Sequence, residues 1–293
     1  MTEINLAQRR DFGGVINTAF AFLKQEGSPF FKAMVTYTGI PIVGVIALFV
    51  FLMMQVVNGK FESLANSPDT STILMLIIPI FILILLMIIT QILVMALTNA
   101  YLKLYNEKGK GNFNASEVGQ IAGRNFFPTI GYGIIISIPI FFGMIFFFIP
   151  GIYLSIVLNF IFIIMFVENK GLSKNFGRCF EVIKNNWWVT FGLLMVSSII
   201  IGVATQVIYI PLQMYMQLKI ITIAETGDLS QLNLPLIVIT FVLLIVCGTY
   251  LRSFIYLVTG IQYFSLNEAA GSSTILDRIN QIGQTDNGLE KQY

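Results

Sequence analysis

The chain has 293 residues, 56% hydrophobic and 11% charged, with a mean hydropathy of +0.81. Soluble domains carry about a quarter charged residues, so a water-soluble fold is excluded, and the apolar residues come in long unbroken runs that call for a bilayer. A net charge of +2 gives no reason to expect a nucleic-acid partner, and the absence of His removes the commonest general base and metal ligand.

The N-terminal stretch MTEINLAQRRDFGG is polar and lacks the short apolar core of a secretory signal. Residues 9–26 follow, with Phe12, Val15, Ile16, Ala19, Phe20 and Leu23 at helical spacing and Arg9 and Arg10 at the start. This pattern predicts an amphipathic helix in the membrane interface. The first span is expected over 33–57 and the second over 73–102. A short amphipathic helix is predicted over 114–124, then a third span over 126–149. Pro150-Gly151 is read as the turn into a short fourth span, 151–167.

A third interfacial helix is predicted over 172–186, where Leu172, Phe176, Cys179, Phe180 and Ile183 share a face and Lys174, Arg178 and Lys184 supply charge. The fifth span is expected over 187–210, ended by Pro211, and the sixth over 235–264. Each span approaches or exceeds the ~20 residues that cross a bilayer as a helix. The fold class is therefore all-α: six spans as three helical hairpins in one domain, 1–268, followed by a polar, partly mobile tail, 269–293. Cys179 and Cys247 lie in different settings, so no disulfide, zinc site or redox motif is expected, and no cofactor.

Charge sets the direction. Fourteen of the 17 Lys and Arg fall before the first span, between spans two and three, between four and five, and after six. Only Lys60 and Lys219 fall on the other side. By the positive-inside rule the basic side is cytoplasmic, with both termini.

The start of a span recurs. Asn125-Phe126-Phe127-Pro128-Thr129-Ile130-Gly131 matches Asn186-Trp187-Trp188-Val189-Thr190-Phe191-Gly192, and Pro29-Phe30-Phe31-Lys32 is a more divergent third copy. Paired aromatics favour the headgroup level. Three parallel repeats are expected, each an interfacial helix and a two-span hairpin.

The segments RRDFGGVINTAFAFLKQEGSPFFKA, FFFIPGIYLSIVLNFIFIIMFVENKGL and KNFGRCFEVIKNNWWVTFGLLMV carry a family resemblance. With the IPGIYL turn, the acidic residue after span four and KNNWW, the chain resembles the YciC-like bacterial membrane proteins. That group is related to the membrane domain fused to some glycerophosphodiester phosphodiesterases. The resemblance implies six spans in a bacterial inner membrane and no defined chemistry.

Arg252 is the single charged residue well inside a span. A charge there costs at least ~2.5 kcal/mol unless it finds partners or water. No carboxylate lies deep in any span, which leaves Asn159, Asn99, Gln91, Tyr250, Tyr256, backbone carbonyls or a lipid phosphate as partners. Arg252 with Asn159 and Tyr256 is thus a candidate lipid or anion contact; the plain alternative is an Arg that snorkels and bonds neighbouring helices. Asn159 alone reads most simply as an interhelical hydrogen bond. Glu168 and Glu181, near Lys170, Arg178 and Lys184, read as a salt-bridged helix rather than an acid/base pair.

Three function classes follow. The first expectation is a non-enzymatic scaffold or accessory subunit that holds protein partners and anionic lipid headgroups at the cytoplasmic face. The alternative is a transporter or a handler of lipids or hydrophobic compounds using a polar site near Arg252. An intramembrane enzyme ranks last.

Overall fold

A computed structural model of the protein describes residues 3–60, 69–226 and 234–289. Ten helices and no strand occur among them: α1 (Phe12–Val57), α2 (Thr70–Lys108), α3 (Ala115–Arg124), α4 (Phe126–Phe146), α5 (Phe148–Leu158), α6 (Ile161–Glu168), α7 (Leu172–Ile183), α8 (Trp187–Thr226), α9 (Leu234–Leu251) and α10 (Ser253–Leu289). They supply six stretches long and apolar enough to cross a bilayer. The chain is an all-helical, multi-pass membrane protein.

The first expected interfacial helix is not separate. Asp11 caps α1 by accepting from the Gly14 N–H at 2.8 Å, and the helix then runs unbroken through Pro29 and Pro41 to Val57. The reason is packing. Val15, Ala19, Phe22, Glu26, Phe30 and Ala33 form one stripe of helical spacing that passes through Pro29 and is buried along its length. Burying that stripe against α2, α3 and α10 outweighs the ~3 kcal/mol that an interior proline costs.

The other two short helices also turn their apolar faces onto protein. In α3, Val118 and Ala122 are buried against α1 and α2; in α7, Cys179, Val182 and Ile183 are buried against α5, α6 and α10. They cap one end of the bundle.

Two copies of the span-start motif fold alike. The Asn125 carbonyl accepts from Thr129 N (2.9 Å) and Oγ1 (2.7 Å); the Asn186 carbonyl accepts from Thr190 N and Oγ1, both 3.0 Å. In each, the second aromatic faces outward and the Thr is buried: Phe127 is 78% exposed and Trp188 77%. The third copy departs from this. It lies inside α1 with no break, and Phe30 is fully buried.

Helix ends differ from expectation at four places. Spans three and four turn at Phe147 alone (φ −147°, ψ 86°), not at Pro150-Gly151. Pro150 falls in the first turn of α5, where backbone N–H groups have no intrahelical partner to lose. Gly151 instead brings backbones together: a Cβ there would meet Met144 N at 2.5 Å. Span four breaks at Asn159-Phe160, between α5 and α6. Helix α8 continues through Pro211 to Thr226, because the apolar run resumes and a helix is the form that satisfies backbone groups in lipid. The expected tail is helical to Leu289 as the continuation of α10, since extending an established helix needs no new nucleus.

Packing is uneven along the bundle. Near one end, Phe22, Phe30, Tyr101, Tyr105 and Phe113 meet edge to face at centroid distances of 4.9 to 6.0 Å. The second half of α2, Val94–Leu102, is wholly buried there, whereas Ile77, Ile78, Phe81 and Ile84 in its first half face outward. The helices thus pack tightly at one end and part toward the other.

Candidate functional site: a polar cleft at the helix break of Arg252

The sixth span breaks at its one charged residue. Helix α9 ends at Leu251, Arg252 occupies a turn, and α10 starts at Ser253; the Ile255 N–H donates to the Arg252 carbonyl at 3.1 Å. Arg252 is exposed and lines a cleft of about 900 Å³.

Three walls form the cleft: Met87–Ile92 of α2, Ser198–Gln206 of α8, and Leu244–Tyr256 across the α9–α10 break. Glycine makes the room. A Cβ at Gly202 or Gly248 would meet nothing within 4 Å, so these positions hold space open instead of packing helices.

The cleft sets polar side chains into a mainly apolar lining at a depth where the surrounding runs are apolar. Gln91 Nε2 donates to Thr249 Oγ1 at 3.5 Å across the gap between α2 and α9, and its own carbonyl oxygen is buried without a partner. Ser198 donates to the Leu194 carbonyl at 2.7 Å, which leaves its lone pairs available. Thr205, Gln206 and Tyr256 also line the space. Every ion pair among the described residues lies elsewhere, and no Asp or Glu lines the cleft. Arg252 is therefore a cation without a carboxylate.

Two smaller, apolar cavities continue from it along α8 and α9, of about 300 and 210 Å³. Leu244 lines all three spaces, and Tyr209 and Thr240 line both apolar ones. Pro211 borders the larger.

Of the residues singled out by sequence, Arg252, Tyr256 and Gln91 come together here. Asn159 does not. Its Oδ1 accepts from Thr259 Oγ1 at 3.1 Å, joining the α5–α6 break to α10 one turn beyond Ile255 and Tyr256, and Asn159 itself does not line the cleft. Asn99 donates to the Met95 carbonyl at 3.0 Å within its own helix, and the Tyr250 hydroxyl pairs with Thr38 at 2.9 Å. The sequence reading missed Ser198, Thr205, Gln206 and Thr249. Their signal was present: Ser198, Gly202, Thr205 and Gln206 fall at i, i+4, i+7 and i+8 in an otherwise apolar helix.

The charged end is structural. Glu168 accepts from Lys170 (2.7 Å), Arg178 Nε (2.9 Å) and the Tyr263 hydroxyl (3.0 Å). Arg178 also reaches Glu181 at 3.1 Å and Asn267 at 2.7 Å. Burial alone would lower the Arg178 pKa, but its bonds to Glu168 and Glu181 prevail and raise it. Arg178 thus pins α7 to α6 and α10. Lys174, Lys184 and Arg9 are exposed. Arg10 folds back on the segment that precedes α1, donating to the carbonyls of Leu6 (2.8 Å), Gln8 (2.9 Å) and Asn5, and partial burial lowers its pKa. Both cysteines are free.

No family model, curated protein or solved structure matches the chain.

Proposed function

We propose that the protein binds and handles a membrane amphiphile with an anionic headgroup, held in the cleft at Arg252. One observation carries this reading: the lone intramembrane cation faces a space of about 900 Å³ whose mainly apolar lining holds several neutral polar side chains and no carboxylate. An Arg that only snorkelled would reach the interface or bond a neighbouring helix. The adjoining apolar cavities fit an acyl chain. Arg252 to Tyr263, whose hydroxyl meets Glu168 at the charged end, is eleven residues, or ~16 Å of helix. A headgroup at Arg252 therefore sits well below the membrane surface, which is the position of a handled lipid and not of a surface contact.

The scaffold reading has less support, since the apolar faces of α1, α3 and α7 are already covered by the bundle. The chemistry is binding and movement, with no enzymatic step. The charge asymmetry supports placing the basic end and both termini in the cytoplasm, where Lys174, Lys184 and Arg9 meet anionic lipids. The close packing of α1 with α2, α4 with α5 and α8 with α9 supports three helical hairpins. The resemblance to the YciC-like group supports a bacterial inner membrane.

The test is lipid retention. Wild type, Arg252→Lys, Arg252→Leu and Gly248→Leu are reconstituted in mixed anionic and zwitterionic vesicles, purified in mild detergent, and bound lipid is weighed by native mass spectrometry. Arg252→Leu and Gly248→Leu are expected to lose about tenfold in retained anionic lipid, equivalent to ~1.4 kcal/mol, with elution and melting unchanged; Arg252→Lys keeps most of it. Retention of anionic lipid by Arg252→Leu at the wild-type level overturns the reading.

A further inference from the structure

The cleft offers one positive charge and several neutral hydrogen-bonding groups, and that combination has a chemical meaning. This inference rests on the amphiphile reading above and names the headgroup. On α8, Thr205 and Gln206 line the space with no side-chain hydrogen bond to another described residue; on α2, the Gln91 carbonyl oxygen has no partner; on α9, Thr249 faces Gln91. Amides and hydroxyls both donate and accept. An anionic oxygen satisfies Arg252, but it cannot satisfy the amide carbonyls, which need donors. A ligand that carries its own donors satisfies them.

Two kinds of donor are open to a lipid headgroup. An ammonium group would share the cleft with the Arg252 guanidinium and find no carboxylate to neutralise it, so like-charge repulsion in a low dielectric opposes it. Hydroxyl groups carry no such penalty and pair with amides and hydroxyls in either direction. We propose that the cleft selects a phospholipid whose headgroup is a phosphodiester bearing free hydroxyls, a polyol phosphate, with the phosphate on Arg252 and the hydroxyls toward Gln91, Thr205 and Gln206.

The acyl chains then follow the apolar cavities shared at Leu244, past Tyr209 and Thr240 toward Leu236. Seventeen residues separate Pro235 from Arg252, ~25 Å of helix, enough to lie alongside a full chain. With the headgroup toward the charged end and the chains away from it, the bound lipid has the orientation of the leaflet on the charged side.

The decisive comparison uses three lipids at equal mole fraction in phosphatidylcholine vesicles. Phosphatidylglycerol carries one negative charge and two hydroxyls; phosphatidylethanol carries the same charge and none; phosphatidylethanolamine carries an amine. Lipid retained by the purified protein is quantified by native mass spectrometry for wild type, Arg252→Leu and the double variant Thr205→Val, Gln206→Leu. Wild type is expected to retain phosphatidylglycerol at least about fivefold over phosphatidylethanol, ~1 kcal/mol, and to exclude phosphatidylethanolamine. The double variant, which keeps the charge, is expected to hold both anionic lipids equally. Equal retention of the two anionic lipids by wild type, both lost in Arg252→Leu, overturns the polyol assignment and leaves anion binding standing. Retention independent of Arg252 overturns both. Soluble glycerol phosphate lacks chains and is expected not to displace the bound lipid at millimolar concentration; displacement by it overturns the place given to the acyl chains.

Discussion

The Tyr101 hydroxyl donates to Glu26 Oε2 at 2.8 Å, and the carboxylate that receives it is 3% exposed. Lys110 stands 3.5 Å from the other oxygen, without the alignment of a hydrogen bond. Glu26 interrupts the apolar stripe of α1, and the ring of Tyr101 that reaches it also packs against Phe22 and Phe30. Removing one partner of a buried charged group costs more than the bond itself contributed. Tyr101→Phe, which preserves the ring packing, is expected to destabilise the protein by about 1–3 kcal/mol, seen as a lower melting temperature in detergent. Tyr105→Phe, which gives up only a 3.2 Å bond from the Ile4 N–H near the surface, serves as the milder comparison. Equal melting of Tyr101→Phe and wild type would show that the bond is not formed.

Gly151 should be the least replaceable residue of the α4–α5 turn. Its Cβ would lie 2.5 Å from Met144 N and 2.7 Å from Gly143 C, both backbone atoms that cannot rotate aside. Gly151→Val is expected to prevent the two helices from closing and to abolish monodisperse protein on gel filtration. Gly131→Ala, with open space around the new methyl, is expected to behave as wild type or slightly better, because alanine favours helix by up to ~1 kcal/mol.

Arg178 ties three elements at one point. Arg178→Leu strips Glu168 of one of its two cations and Asn267 of its donor, while Arg178→Lys keeps a charge but cannot span Glu168, Glu181 and Asn267 together. The site is partly open to water, so screening limits the loss to about 1 kcal/mol. The effect should be local: amide exchange across 172–183 rises in Arg178→Leu and changes little within α2. Uniform exchange in both variants would contradict the tie.

Cys179 should be inert while the fold persists. Burial pushes its thiol up to about 12, well above an unfolded cysteine near 8.5. The neutral thiol is favoured by folding, so its contribution is complete below the unfolded value and lost as pH rises above it. In a Cys247→Ser background, maleimide is expected to leave Cys179 unmodified at pH 8 and to label it fully once the protein is denatured, as read by intact mass. Rapid labelling of folded protein would place the thiol at the surface.

Hydropathy made the six spans legible, because run length and apolar content are properties of the sequence alone. Local chemistry made Asn125 and Asn186 legible as equivalent span starts. What periodicity could not settle was which side of each amphipathic helix meets lipid and which meets protein: the stripe Val15–Ala33 looks the same whether its cover is an acyl chain or α2. Proline was over-read for a related reason. Pro211 lies inside a helix because lipid outweighs a local penalty, and Pro150 shifted the turn to Phe147 by accepting the first turn of α5. At the cleft, Arg252 was conspicuous by charge, while Ser198, Thr205 and Gln206 carry no charge and showed only through their shared helical face. Asn159 was drawn to Arg252 by similar expected depth, and depth does not fix which face of a helix a residue occupies.

The Arg10 N–H donates to Ser265 Oγ at 2.8 Å across 255 positions of chain. This bond has a consequence for biogenesis. The basic end cannot be completed until the sixth span has been made and delivered: the segment before α1, α1 itself and α2 emerge before α10, against which they close. A nascent chain must therefore wait with its first two spans inserted and its cap unfinished, and a chain stopped short of span six exposes the same unfinished cap to quality control. The contact between Arg10 and Ser265 marks that cap as closed.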